Sequence, residues 1–204
     1  MNPTLIAFDA VNLSTSTDPQ IVNTDAATQI GDLLFVAIHG SVTTLSSPVG
    51  WTPIGAVSPV SGSYYAYYKT ATVNGSETIT FTYGSGNWIG VAVVATIRGS
   101  TNALQADQSR ANSSATNFNV ASTTTTVGYE ATILIVFADD GTSQTWTLTP
   151  NTLTLEATAF VSGFAQMVAY FGNQAIAGNT PAWNAGKTGS ATSGYAIPIA
   201  IIMP

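Results

Sequence analysis

Ile30-Gly31-Asp32-Leu33-Leu34-Phe35-Val36-Ala37-Ile38 and, about a hundred residues on, Val127-Gly128 leading into Ala131-Thr132-Ile133-Leu134-Ile135-Val136-Phe137 are the stretches that decide the fold. Within the first, Leu33–Ile38 is a continuous apolar run, the pattern of a strand buried on both faces or at a sheet centre, and within the second Ala131–Phe137 is the matching central strand. The landmarks after each run repeat as well. Trp51-Thr52 and Trp146-Thr147 come next, then the aromatic stretches Ser63–Lys69 and Phe164–Phe171. Trp88–Ile97 and Ser193–Ile202 close the two series as further apolar strands. The parts that recur are strands, Trp corners and Thr/Ser/Gly turns; acids, bases and nucleophiles do not recur.

Between these landmarks the period is two. Tyr64, Ala66, Tyr68, Thr70 and Thr72 share one face of a strand and Tyr65, Tyr67, Lys69, Ala71 and Val73 the other. Both faces are aromatic, so this strand either lies between two layers or shows one row to a partner. Asn74-Gly75 is a strong hairpin signal and predicts pairing with Glu77–Tyr83, where Ile79, Phe81 and Tyr83 alternate with threonines. The polar stretch Arg98–Thr116 reads as a connector, and Gly178–Ser193 as mostly loop. Pro198 has no N–H for a ladder, which predicts an edge or a bulge in the closing strand. Many short strands and no helical period predict an all-β fold: a single β-sandwich domain over 1–204, jelly-roll-like, with an internal pseudo-repeat of halves at about 4–99 and 117–204. Each half is expected to contribute strands to both sheets.

Composition narrows the function. Only 7% of the 204 residues are charged, against about 25% in an average soluble chain, so polarity rests on Thr, Ser, Asn and Gly. With four Lys+Arg and a net charge of −6 there is no basic stripe for phosphates, which argues against nucleic acid and against anionic membranes as partners. No apolar run reaches the ~18 residues of a membrane span. No signal peptide opens the sequence, so synthesis in a cytoplasm is expected. The absence of cysteine removes disulfides and thiol chemistry.

Catalytic signals are weak. His39 is the one histidine and ends an apolar strand, so it reads as a structural residue satisfied by backbone, without a second histidine or cysteine to complete a metal site. No Gly-x-Ser-x-Gly elbow accompanies it. A glycosidase needs two carboxyls about 5–10 Å apart. Asp139-Asp140 are adjacent and point apart on a strand, while Glu77, Glu130 and Glu156 are scattered. Asp139-Asp140-Gly141 lacks the spacing of a calcium loop. No enzyme activity, cofactor or metal is expected. The concentrated aromatics carry the alternative: Tyr64, Tyr65, Tyr67, Tyr68 and Trp88 are the candidate contact residues, for a protein partner or for stacking on a glycan. Trp51 and Trp146 are expected in the core.

The succession Gly31-Asp32-Leu33-Leu34, Gly50-Trp51-Thr52, Tyr67-Tyr68-Lys69-Thr70-Ala71, Glu77…Thr80-Phe81-Thr82 and Gly90…Ile97-Arg98-Gly99 resembles a motif order of bacteriophage virion proteins and some bacterial surface proteins. Thr123–Thr126, Thr147-Leu148-Thr149-Pro150 and the strand Ala196–Met203 resemble its continuation, so the likeness covers nearly the whole chain. It implies a jelly-roll-like sandwich on a virion and brings no catalytic residues. The expectation is a capsid decoration or cement protein, a homotrimer clamping the major capsid protein. The alternative is a tail-tip or fibre-head adhesin for host glycan or protein; a polysaccharide-cleaving sandwich is the third reading.

Overall fold

The computed structural model describes residues 3–13, 18–41, 45–57, 63–83, 89–99, 103–106, 116–120, 122, 124–125, 130–174, 178–192 and 194–202. These form an all-β protein of stacked antiparallel sheets. The first half supplies β1 (Thr4–Leu13), β2 (Gln20–Asn23), β3 (Leu33–Gly40), β4 (Thr52–Val57), β5 (Ser63–Thr70), β6 (Thr78–Phe81) and β7 (Gly90–Arg98). The second supplies β8 (Ala103–Ala106), β9 (Asn117–Val120), β10 (Thr124–Thr125), β11 (Glu130–Ala138), β12 (Trp146–Thr149), β13 (Thr154–Val161), β14 (Ala165–Gln174), β15 (Gly178–Asn179), β16 (Trp183–Lys187) and β17 (Gly194–Ile202).

Two five-stranded inner sheets, β1-β7-β3-β5-β4 and β8-β17-β11-β14-β13, pack face to face. Leu33, Phe35 and Ala37 of β3 and Val91, Val93, Ala95 and Ile97 of β7 meet Ile133, Ile135 and Phe137 of β11 and Met167 and Ala169 of β14 in the central core. The other face of each inner sheet is covered too. Leu34, Val36, Ile38 and Val94 pack under Val22, Ile79 and Phe81 of the two-stranded sheet β2-β6. Leu134, Val136, Val168 and Tyr170 pack under Phe118, Trp146, Leu148 and Trp183 of the three-stranded sheet β12-β16-β9. The result is four layers with three apolar interfaces, which is why the continuous apolar runs of β3, β7 and β11 are buried on both faces.

The sheets divide the chain by halves. Every strand of one inner sheet precedes Gly99 and every strand of the other lies beyond it. Interleaving of the two halves within each sheet, expected from the sequence, is not what forms. Within each half the strand order is the same: first, last, central, then two successive strands running out to the edge. The antiparallel ladders β1–β7 and β8–β17 pair the first strand of each half with its last, so each half closes on its own ends.

Several local expectations change for identifiable reasons. The Asn74-Gly75 turn does not join a hairpin: β5 pairs with β3 and β4, whereas β6 pairs with β2 in the outer layer. The turn is used to climb between layers. Asn74 Oδ1 accepts the Ile30 amide at 2.9 Å, and the Gly75 amide, with φ at +91°, donates to the Thr28 carbonyl. The region read as mostly loop holds β16, in which Trp183, Ala185 and Lys187 point inward; a lysine in the inward row masked the alternation. Pro198 pairs with Leu134 on β11, and among the described residues the β8 ladder ends opposite Ile199, one residue short of the proline.

Candidate contact surfaces

The tyrosine strand lies between two layers. Tyr64 is 1% exposed in the central core, its ring 5.4 Å from that of Phe137 and nearly parallel to it. Burial pushes its phenol well above the ordinary tyrosine value. Tyr67 is 2% exposed in the first outer core, tilted against Phe81. Burial also raises Tyr67, opposed by a hydrogen bond with Ser47. Neither side chain presents appreciable surface in the described chain. Tyr65 and Tyr68 are half-buried, the first against the outer core and the second against the central core. Trp88, the fifth candidate, lies outside the described residues. Trp51 and Trp146 are both buried, as expected, in the first and second outer cores respectively.

His39 closes the inward row of β3, and its partner is a side chain of the other half rather than backbone alone. Its Nε2 lies 3.1 Å from Asp139 Oδ1, and its ring stacks between Phe137 and Phe164. Asp139 and Asp140 diverge, as adjacent residues must. Asp139 reaches His39, while Asp140 Oδ2 accepts from Lys187 Nζ at 2.8 Å. Lys187 also donates to the Ser190 carbonyl and is fully buried at its side chain. Burial pushes the Asp140 carboxyl up, but the Lys187 bond, two bonds from Thr142 and the Lys187 charge together hold it below the usual carboxylate range. Each acid therefore has a structural partner, and the two do not flank a common space. Among the described residues no three His, Cys, Asp or Glu side chains gather to hold a metal ion.

Every described Lys and Arg is paired. Arg98 grips Asp32 through Nε (3.0 Å) and Nη2 (2.9 Å), and Lys69 pairs with Glu77 while lying 5.7 Å over the Trp51 ring. The described surface is thereby left to hydroxyls, amides, a few apolar side chains and the carboxylates of Asp9, Asp18 and Glu156.

Two features of that surface stand out. The first is an apolar end. The turn at 25–32 and the turn at 71–75 are tied together by the Ile30–Asn74, Gly31–Ala71 and Gly75–Thr28 hydrogen bonds, and Arg98 fastens the base by donating to the Ala27 carbonyl. This fixed end exposes Ala26, Ala27, Ile30 (64%) and Val73 (48%). The sequence pattern carries Ile30 and Val73 into the neighbouring strands, but β3 begins at Leu33 and β5 ends at Thr70, so both lie in turns. The second is a pair of clefts, each built by the connector that leaves the central strand for the outermost strand of its inner sheet. In the first half the connector before β4 faces Thr78, Thr80 and Thr82 around Trp51, with a volume of about 380 Å³. In the second the connector before β13 folds over Trp146 and Tyr170, with a volume of about 640 Å³. Comparison with protein families, with curated proteins and with solved structures finds no match to this chain.

Proposed function

We propose that the protein is a non-catalytic structural component of a bacteriophage particle, a decoration subunit that attaches to the shell and reinforces it. The observation that carries this reading is the rigid apolar end at Ile30 and Val73. Exposed apolar side chains on a hydrogen-bonded turn pair lose little entropy on docking, which is what an assembly contact needs. The four-layer stack supports it, because a shell reinforcement has to be stiff. The motif order shared with virion proteins supports the setting. Strand order supports taking each half, rather than the whole chain, as the jelly-roll unit. The partners are the major capsid protein and further copies of this chain, with a trimer as the expected assembly. A tail-tip adhesin is the second reading, and the hydroxyl-lined clefts favour it.

Antibody against the chain, applied to purified particles and viewed by electron microscopy, tests the placement. Label spread over the head supports decoration, label at the tail end supports the adhesin, and unlabelled particles end both. Attachment through an apolar end is weakly salt-dependent, so shedding in moderate salt counts against this contact. Ile30→Asp should abolish attachment while leaving the stability of the free protein within about 0.5 kcal/mol.

A further inference from the structure

We infer that the cleft over Trp146 and Tyr170 is a binding site for a neutral saccharide, with the smaller Trp51 cleft as a second site of the same class. The larger cleft has the size of a small-ligand site. Its lining combines Asn151, Thr152 and Thr154, all exposed, with exposed Leu155 and the little surface that Trp146 (7%) and Tyr170 (3%) keep at the cleft floor. That mixture matches a sugar ring, whose hydroxyls exchange hydrogen bonds with amide and hydroxyl groups while its C–H face rests on apolar and aromatic carbon.

Charge narrows the class. Among the described residues neither cleft is lined by Asp, Glu, Lys, Arg or His. Burial pushes the Tyr170 phenol up to about 12, so it remains a neutral donor at physiological pH. At the larger cleft an acidic sugar would find no cation and a cationic ligand no carboxylate, which leaves neutral polyhydroxyl compounds; at the smaller, the Lys69 over Trp51 is already paired with Glu77. A second observation marks the larger cleft. Trp146 Nε1 and Tyr170 OH are buried in its wall without a hydrogen-bond partner among the described residues. A buried donor left so is costly, and a small adjustment of the turn at 151–155 on binding would let a sugar hydroxyl satisfy one. Trp183, by contrast, donates to Thr152 Oγ1 at 2.8 Å, so the neighbouring indole is satisfied from within and also braces the rim.

One site per half gives the chain two, and two weak sites on one rigid body gain avidity for a repeating polysaccharide. The inference holds for a decoration subunit and for an adhesin alike. Its test is titration of the full chain with neutral oligosaccharides of glucose, galactose, mannose and N-acetylglucosamine, with oligogalacturonate as the acidic control. The readout is the indole N–H resonances of Trp146 and Trp51. Saturable movement of the Trp146 resonance with a neutral sugar is expected, with oligogalacturonate inert. Asn151→Ala with Thr154→Ala, both at exposed positions, should weaken binding by about tenfold or more without unfolding. The inference is overturned if no neutral sugar in the panel moves the Trp146 resonance, if oligogalacturonate moves it equally, or if the double variant binds as well as the parent. Head or tail labelling with a still indole would remove this site and leave the structural role standing.

Discussion

The two halves share a strand order and differ in how they cover it. In the first half the outer layer is two strands, and the connector from the central strand to the edge strand lies along β6, with the Ser46 amide donating to the Thr82 carbonyl. In the second half the same connector contributes β12, and the outer layer has three strands. Their buried charges differ likewise. The first half sets Asp32 under a half-exposed Arg98, whereas the second encloses both Lys187 and Asp140. One topology therefore tolerates two coverings, because the constraint lies in the inner sheets. There β3 and β11 are buried throughout their described side chains, and every substitution is felt by three layers.

The largest effect is expected where the halves meet. Phe137 packs in the central core and stacks on both His39 and Tyr64. Phe137→Ala should cost about 3–5 kcal/mol in urea unfolding. If the shared core makes the halves one cooperative unit, tryptophan fluorescence and far-ultraviolet circular dichroism should report a single transition in the parent. Two separated transitions would instead make the halves independent domains that merely touch.

The buried pair comes next. Lys187→Met strands the Asp140 carboxylate in the second half and should cost about 3 kcal/mol. Arg98→Met leaves the buried Asp32 with the Gln29 amide, and water can enter where the partly exposed guanidinium stood, so the change should cost less. Equal losses would mean that enclosure is not what separates the two halves.

Acid provides a gentler version of the same comparison. The folded-state value of Asp140 lies below that of the unfolded chain, so its contribution is complete above the ordinary aspartate range, near pH 4, and disappears as pH falls through the folded value. Thermal melts between pH 5 and pH 2.5, a range of about that extent around the unfolded value, should show an acid decline that is shallower in Lys187→Met, which has already lost the stabilising partner. An unchanged slope would assign the decline to other carboxyls.

These contrasts also show what the sequence could reveal. The period-two faces of β5, β6, β9 and β12 and the double burial of β3, β7 and β11 are written in side-chain order, because alternation and its absence report directly on layers. Which strands pair is not written there. Asn74-Gly75 carries the chemistry of a hairpin, yet its side-chain and backbone bonds to the turn at 25–32 send the chain to another sheet. Tyr64 and Tyr67 read as contact residues because aromatic rings serve cores and interfaces equally; only a fourth layer makes both of them core. His39 and Asp139 stand a hundred residues apart, and no local signal could have joined them. Ile30 and Val73 read as the first residue of one strand and the last of another, whereas β3 starts at Leu33 and β5 stops at Thr70, which leaves both in turns.

The smallest effect tests the coverings themselves. Thr52 is opposite Tyr68 on β4–β5, and Thr154 is opposite Phe171 on β13–β14. One step further along, Trp51 meets Lys69 in the first half and Leu153 meets Gly172 in the second. A large ring there takes a lysine across its face; a smaller leucine sinks until its Cδ2 lies 2.5 Å from where a Cβ on residue 172 would stand. The Thr152 carbonyl would be 3.2 Å from the same Cβ. Gly172→Ala should therefore push Leu153 aside at a cost of about 1 kcal/mol, because a leucine terminus can turn away. Pairing it with Leu153→Ala should recover part of that loss, since the colliding carbon is gone. If the double variant is instead fully additive, the backbone at Thr152 is what the glycine accommodates, and the closeness of the second connector belongs to its main chain.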